Sequence, residues 1–228
     1  MRIAFIGLMH SGKSTAAQHF VDKYGAWRPS FADPVKDIAV NTLNNVIQYL
    51  PKNDVRVNRA MLNEIKNNPH VRNLLQFIGT ELGREWTGNP NIWIDTLLRR
   101  IDDEEDYAAR EHNAQLIVVN DDCRFQNEAQ ALRENGFVLV RVHRDEDARL
   151  ESLARAIRKQ NPHATMSERT EMMERMMSHP SETEMVDIQE DYYVENDDLF
   201  FENLNYLWSI YGKRQNRLQF TGNSQTNT

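Results

Sequence analysis

The chain has 228 residues and a formal net charge of -7, with 40% hydrophobic and 27% charged residues. That length suits one large domain or two small ones, and it is enough to bury a core without staples. The acidic balance excludes a general DNA-coating role, which calls for a basic face. Cys123 is the single cysteine and leaves no intramolecular disulfide; no apolar run approaches the roughly 18 residues of a membrane span. The expectation is therefore a cytoplasmic protein that works without a membrane or nucleic acid.

In chain order, Ile3–Ile6 is a short apolar run ending at Gly7 and predicts a buried strand. No targeting role is expected of this N-terminal stretch, because its apolar part is short and ends in Gly and Lys. Residues 12–23 predict a helix and Trp27–Phe31 a second strand. Asp33-Pro34 looks like a helix start, with Asp as N-cap and Pro at the first helical position, and the helix runs to about Tyr49. Residues 50–90 are polar and proline-punctuated, with an amphipathic helix over Val71–Arg84, and another helix follows over Ile92–Ile101. The acidic block Asp102–Asp106 reads as a solvated helix end.

Leu116–Val119 is the strongest strand signal, Glu128–Asn135 a helix stopped by Gly136, and Phe137–Val142 another strand. Residues 144–180 are helical and rich in Arg and Met. Tyr192–Val194 is a last strand, and Leu199–Tyr211 a last helix. The polar tail, residues 212–228, is expected to be disordered. Five strands alternating with helices predict an α/β fold: a five-stranded parallel sheet with helices on both faces and ligands beyond the carboxyl ends of the strands.

Gly7-Leu8-Met9-His10-Ser11-Gly12-Lys13-Ser14 fits G-x-x-x-x-G-K-[ST] without mismatch, between a predicted strand and a predicted helix. Such a loop turns its N–H groups toward phosphate oxygens and adds the positive end of the next helix. Gly7, His10, Ser11, Gly12, Lys13, Ser14 and Thr15 are the predicted ATP-binding residues, with Lys13 on the β- and γ-phosphates and Ser14 on Mg²⁺. His10 fills a variable loop position and is given no chemistry of its own.

The strand 116–119 ends in Asn120-Asp121-Asp122, and either Asp could serve near the metal; Asp122 is taken with Ser14 as the metal pair. No guanine-specifying Asn-Lys-x-Asp is present. A small-molecule kinase needs a P-loop, an acceptor pocket and arginines that neutralise the transferring phosphoryl group. Asp33, at the end of the second predicted strand, is placed near the γ-phosphate, where it could orient an acceptor; capping is its other reading. Arg84, among Trp86 and Trp93, suits a nucleotide monophosphate, with Trp93 read as core.

Arg124 leaves the third predicted strand toward the same cleft, and Glu128 could pair with it or cap the next helix. The basic residues are 20 Arg and only 7 Lys, and seven arginines fall within residues 141–175. An Arg-bearing flap suits closure over ATP, and Arg144, Arg149, Arg155 and Arg158 are the candidates. Met172, Met173, Met176 and Met177 read as packing, and Cys123 as a small filler.

GLMHSGKST (7–15), FADPVKDIA (31–39), LLQFIGTELGREW (74–86), NIWIDTLLRRI (91–101), DDCRFQNEAQALRENG (121–136), HPSETE (179–184) and YVENDD (193–198) together resemble the bacteriophage-type deoxynucleoside monophosphate kinases, within the P-loop nucleoside monophosphate kinases. The pieces are collinear over most of residues 1–210. The resemblance implies a P-loop kinase-type three-layer domain over 1–211, an acceptor-binding insert at 50–90 and a lid-like insert at 144–185. It implies transfer of the γ-phosphoryl of ATP to a deoxynucleoside 5′-monophosphate with Mg²⁺, in the host cytoplasm if the chain is phage-encoded, and it admits a homodimer.

By motif Lys13 and Ser14 carry over as phosphate and metal contacts, and Asp33, Lys36, Arg84 and Arg124 as acceptor-site residues; Trp86 and Glu128 join the substrate candidates. Lys13, Asp33, Arg124, Arg144, Arg149 and Arg155 are the catalytic candidates. Ser181 and Glu182 join the flap to the last strand without an assigned role. Two alternatives are another small-molecule P-loop kinase, of the dephospho-coenzyme A or phosphomevalonate type, and a non-catalytic ATP-binding protein.

Overall fold

The computed structural model describes residues 1–49, 56–65 and 68–222. The chain divides into two compact units, Met1–Arg28 with Tyr107–Thr228, and Pro29–Asp106.

The first unit is built on a parallel sheet of β1 (Arg2–Ile6), β2 (Val118–Asn120), β3 (Val138–His143) and β4 (Tyr192–Glu195), in the order β2-β1-β3-β4. β1 lies between its partners, with Ile3 opposite both Val119 and Val138. Four strands form among the described residues, not the expected five. The predicted strand at 27–31 shrinks to a single bridge, Trp27 to Val118. The Trp27 N–H donates to Ile117 O at 2.8 Å and Val119 N–H donates to Trp27 O at 2.9 Å. The next donor of a parallel ladder would be residue 29, which is proline and has no N–H.

The helices in chain order are α1 (Lys13–Tyr24), α2 (Asp33–Ile47), α3 (Arg59–Ile65), α4 (Pro69–Phe77), a π-helix over Ile78–Glu85, α5 (Ile92–His112), α6 (Gln126–Glu134), α7 (Glu146–Gln160), α8 (Met166–Met177), α9 (Pro180–Val186) and α10 (Phe200–Gly222). The acidic block at 102–106 is not a helix end: α5 runs through it, because Leu97, Ile101 and Ala108 keep a buried stripe on the helix while Asp102, Asp103 and Glu104 face solvent. α10 likewise continues past Tyr211 to Gly222, so the stretch expected to be disordered is helical that far; residues 223–228 lie outside the described residues. No helix among the described residues is long and apolar enough to cross a membrane.

The first unit's core joins Ile3 and Phe5 of β1, Ala16, Ala17 and Phe20 of α1, and Leu204 and Leu207 of α10. Tyr24 stacks on Trp208 with ring centroids 4.4 Å apart. Burial of β1 on both faces explains its unbroken apolar sequence. Because all four strands are parallel, the residues that follow them emerge at one edge of the sheet: the P-loop after β1, Asp121 after β2, Arg144 after β3 and Asn196 after β4.

The second unit packs Val35 and Ala39 of α2, Leu62 of α3, Ile78 and Trp93 together. The amphipathic stretch predicted as one helix over 71–84 splits into α4 and the π-helix. The wider turn closes with Trp86 N–H donating to Glu81 O at 2.9 Å. Gly83 lies directly under the Trp93 indole, where a Cβ would collide with the ring, and Trp93 Nε1–H donates to Gly79 O at 2.7 Å.

Candidate functional site

The loop after β1 is held by three kinds of constraint. Gly7 and Gly12 take φ of 140° and 114°, and His10 takes 61°; only glycine reaches the first two without strain. Asn196 Nδ2 donates to Ser11 O at 2.7 Å, tying the loop to the turn after β4. A Cβ on Gly12 would run into that same amide nitrogen. Lys13 begins α1 and folds back over the loop, its Nζ donating to Gly7 O at 2.6 Å and Leu8 O at 2.8 Å. It is 8% exposed. Burial first, then the nearby Arg124 cation, pull its pKa down to about 8, while Glu182 and Asp121 oppose the fall.

A cleft of 510 Å³ opens on this loop and is lined by Lys13, Ser14, Asp121, Arg124, Arg144 and Asn196; His10, Gly12, Thr15 and Met176 also face it. The carboxylate that meets Ser14 is Asp121, whose Oδ2 accepts from Ser14 Oγ at 2.7 Å. Asp122, expected as the metal partner, instead accepts from Asn120 Nδ2 at 2.6 Å. Burial alone would raise the Asp121 carboxyl, but hydrogen bonds from Arg28 and Ser14 outweigh it and hold the pKa below the usual value. Arg28 does this with two bonds, Nε to Oδ1 at 2.8 Å and Nη2 to Oδ2 at 2.6 Å.

Ser14 and Asp121 are hard oxygen donors and fit Mg²⁺, which takes few protein ligands and completes its shell with water and phosphate. No group of three or more His, Cys, Asp or Glu side chains able to hold a metal occurs among the described residues.

Glu182 is 5% exposed and lies at the centre of the polar network. Its Oε2 accepts from Met9 N–H at 2.6 Å, and its Oε1 from Arg124 Nη1 at 3.3 Å. Met185, one turn on in α9, accepts from Gly7 N–H through Sδ at 3.3 Å. One short helix thus holds two N–H groups of the P-loop. Glu128, expected at the substrate, is turned to its own loop: Oε2 accepts from Arg124 N–H at 2.7 Å and Phe125 N–H at 3.2 Å, capping α6 and fixing the backbone that carries Arg124. Cys123 is fully buried, and burial pushes its thiol far up, which suits a filler.

The arginines after β3 separate. Arg144 lines the cleft, whereas Arg149 is buried and lines a different cavity. Arg155 points away to an exposed pairing with Glu151 at 3.2 Å, and Arg158 is exposed. The helix phase explains this: Arg149, Leu153 and Ile157 share the buried stripe of α7, and Arg155 falls off it. Ser152 on α7 meets His10 Nδ1 at 3.0 Å. None of the α8 methionines is buried, and Met176, expected to pack, is 39% exposed and faces the cleft.

The other candidates belong to the second unit. Asp33 is not the N-cap, a position Ala32 holds. Its Oδ2 accepts from Ser30 N–H at 3.0 Å, and its Oδ1 lies 3.1 Å from Arg59 Nη1. Arg59 also pairs with Asp37. Lys36 is half-buried on the same helix, and Arg84 is exposed at the end of the π-helix. Trp86 is 81% exposed and lines a 600 Å³ apolar cleft with Ile38, Leu82, Ile92 and Trp93.

Arg28 and Arg59 are the polar residues here that motif reading missed, because they act through partners far away in sequence. Glu182 stood out in the HPSETE piece without a role, and Asn196 in the YVENDD piece after the last strand.

No family model matches the chain. A protein of Acanthamoeba polyphaga mimivirus named "Putative deoxynucleotide monophosphate kinase" is 28% identical over 165 residues, 62% of this chain and 75% of that one. Among solved structures, TT1252 from Thermus thermophilus aligns with 93% of this chain and 97% of its own at 16% identity and a TM-score of 0.46. Shikimate kinase from Bacteroides thetaiotaomicron aligns with 92% of this chain and 97% of its own at 13% identity and a TM-score of 0.43. Dephospho-CoA kinase from Campylobacter jejuni aligns with 93% and 97% at 13% identity and a TM-score of 0.42.

Proposed function

We propose that the protein transfers the γ-phosphoryl group of ATP to a deoxynucleoside 5′-monophosphate, giving the diphosphate and ADP. The observation that carries this reading is the convergence of Lys13, the Ser14–Asp121 pair, Arg124 and Arg144 on one cleft at the carboxyl edge of the sheet. Phosphoryl transfer is catalysed mainly by positioning and by spreading charge over the transferring group, and these are the groups it uses. The name of the mimivirus relative supports the acceptor class.

In this reading the P-loop N–H groups and Lys13 bind the β- and γ-phosphates. Ser14 and Asp121 would hold Mg²⁺, which when bound neutralises phosphate oxygens. Arg124 and Arg144 stabilise charge on the group in transit. The acceptor phosphate is itself the nucleophile, so no reactive thiol is required of buried Cys123. Asp33, Lys36 and Arg84 are assigned to the acceptor nucleotide by the resemblance, Trp86 by its place beside Arg84, and residues 144–185 to a lid.

The test is coupled detection of ADP with each deoxynucleoside and nucleoside monophosphate as acceptor. Deoxynucleotide-dependent turnover is expected. Turnover only with dephospho-coenzyme A or phosphomevalonate would overturn the acceptor class. ATP binding with no acceptor-stimulated turnover would overturn the enzyme.

A further inference from the structure

A second cavity, of 240 Å³, opens against the P-loop. Gly7, Leu8, Ser11, Arg144, Glu146 and Arg149 are among the residues that line it, and Arg144 is the one lining residue it shares with the nucleotide cleft. It has ample room, since a single buried water needs only about 10–15 Å³.

Its polar inventory is unbalanced. The Ser11 side chain is 1% exposed, and its hydroxyl has no hydrogen-bond partner among the described residues. Arg149 is 7% exposed, and its guanidinium makes no hydrogen bond or ion pair with another described residue. The neighbouring basic side chains have partners elsewhere. Arg141 donates to Glu190 Oε2 at 2.8 Å and to the carbonyls of Met185 and Ile188, and His143 pairs with Glu195 at 2.8 Å. Glu146 is the acidic side chain lining the cavity and forms no ion pair with either Arg144 or Arg149. Burying a hydroxyl without a partner is unfavourable, and the Arg149 guanidinium has donors that no described residue uses. Both residues line one cavity, and an anion with several acceptor oxygens would engage both.

We propose that this cavity binds an oxyanion of the phosphate class, held by Arg149, Arg144 and the Ser11 hydroxyl, and separate from the nucleotide. Phosphate chemistry could reach the cavity as the free ion or as the end of a nucleotide chain. The free ion is favoured because Arg149 lines this cavity and not the cleft of Lys13 and Ser14. Burial first, then the cations Lys13, Arg144 and Arg149, against Glu182, hold the nearby His10 imidazole below its ordinary pKa. Ser11 already ties the loop through its carbonyl to Asn196 and through its N–H to Leu8 O. An anion on its hydroxyl fastens the same residue a third time.

The test is calorimetric titration of inorganic phosphate into the full chain saturated with a non-hydrolysable ATP analogue and Mg²⁺. One phosphate per chain is expected to bind. Arg149→Met should weaken it about tenfold or more, Ser11→Ala severalfold, and Arg149→Lys should recover part of the loss. Thermal unfolding without phosphate checks that each variant folds, and Arg149→Lys serves if Arg149→Met does not. Absence of phosphate binding would overturn the proposal, as would affinity unchanged in the folded variants. Displacement of phosphate by the analogue would assign the oxyanion to the nucleotide and overturn the separate site. None of these readouts depends on the acceptor or on turnover.

Discussion

In the unit that carries the P-loop, the polar groups around the cleft are tied together across long stretches of chain: Ser14 with Asp121, Met9 with Glu182, Ser11 with Asn196. In the unit of Pro29–Asp106, the candidate contacts Arg84 and Trp86 are exposed, and what is fixed is an apolar core around Trp93. The first arrangement holds its donors before any phosphate arrives, so little ordering is left to be done on binding. The second holds its scaffold and leaves its polar ends to be ordered by whatever binds. Asp33 stands between these cases, held by Arg59 within its own unit.

The contrast can be broken at its strongest points first. Trp93→Ala removes a buried indole that presses on Gly83 and should lower the unfolding free energy by about 3–5 kcal/mol, read by denaturant unfolding. Lys13→Ala, by comparison, should leave the fold intact and reduce turnover by about 10²–10³-fold or more, read by ADP formation under saturating substrates. If Lys13→Ala instead unfolds the protein, the loop is scaffold and not machinery.

Gly12→Ala forces a side chain into a left-handed backbone and against Asn196, at a cost of about 1–3 kcal/mol. Its signature is weakened nucleotide binding together with a lower Tm.

A pH profile sharpens the comparison further. Lys13 titrates at about 8 in the folded protein. Its cationic form binds phosphate, so kcat/KM for ATP should fall as pH rises through about 8. Glu182 favours the Lys13 cation; in Glu182→Gln this support is lost, and the falling limb should move to lower pH. An unmoved limb would make Glu182 a purely structural support.

The smallest effect is expected at Arg155→Ala, which removes an exposed helical pair and should change stability by less than about 0.5 kcal/mol in a melting experiment.

Much of this was legible without coordinates. The P-loop is local: its glycines, Lys13 and Ser14 are fixed by spacing and by the strand and helix around them. The apolar run that became β1 could be read because a strand buried on both faces needs no alternation. The predicted strand at 27–31 failed on one residue, Pro29, whose missing N–H ends the ladder after Trp27. The Arg149–Arg155 separation was readable in principle, since the apolar stripe of α7 includes one position and not the other.

The choice of Asp121 over Asp122 was not readable. It depends on where β2 ends and which way the chain turns after Asn120. Nor was the part played by Glu182, whose partner Met9 is far away along the chain.

By itself the sequence determined the phosphate loop, the α/β alternation and the presence of an arginine-rich segment, because short-range spacing and periodicity encode all three. Only the tertiary structure decided which carboxylate serves Ser14, which arginine enters the cleft and which is buried elsewhere, and that a helix near residue 182 holds the loop. Those outcomes depend on strand order and helix phase, which bring distant residues within hydrogen-bonding reach and which no local pattern specifies.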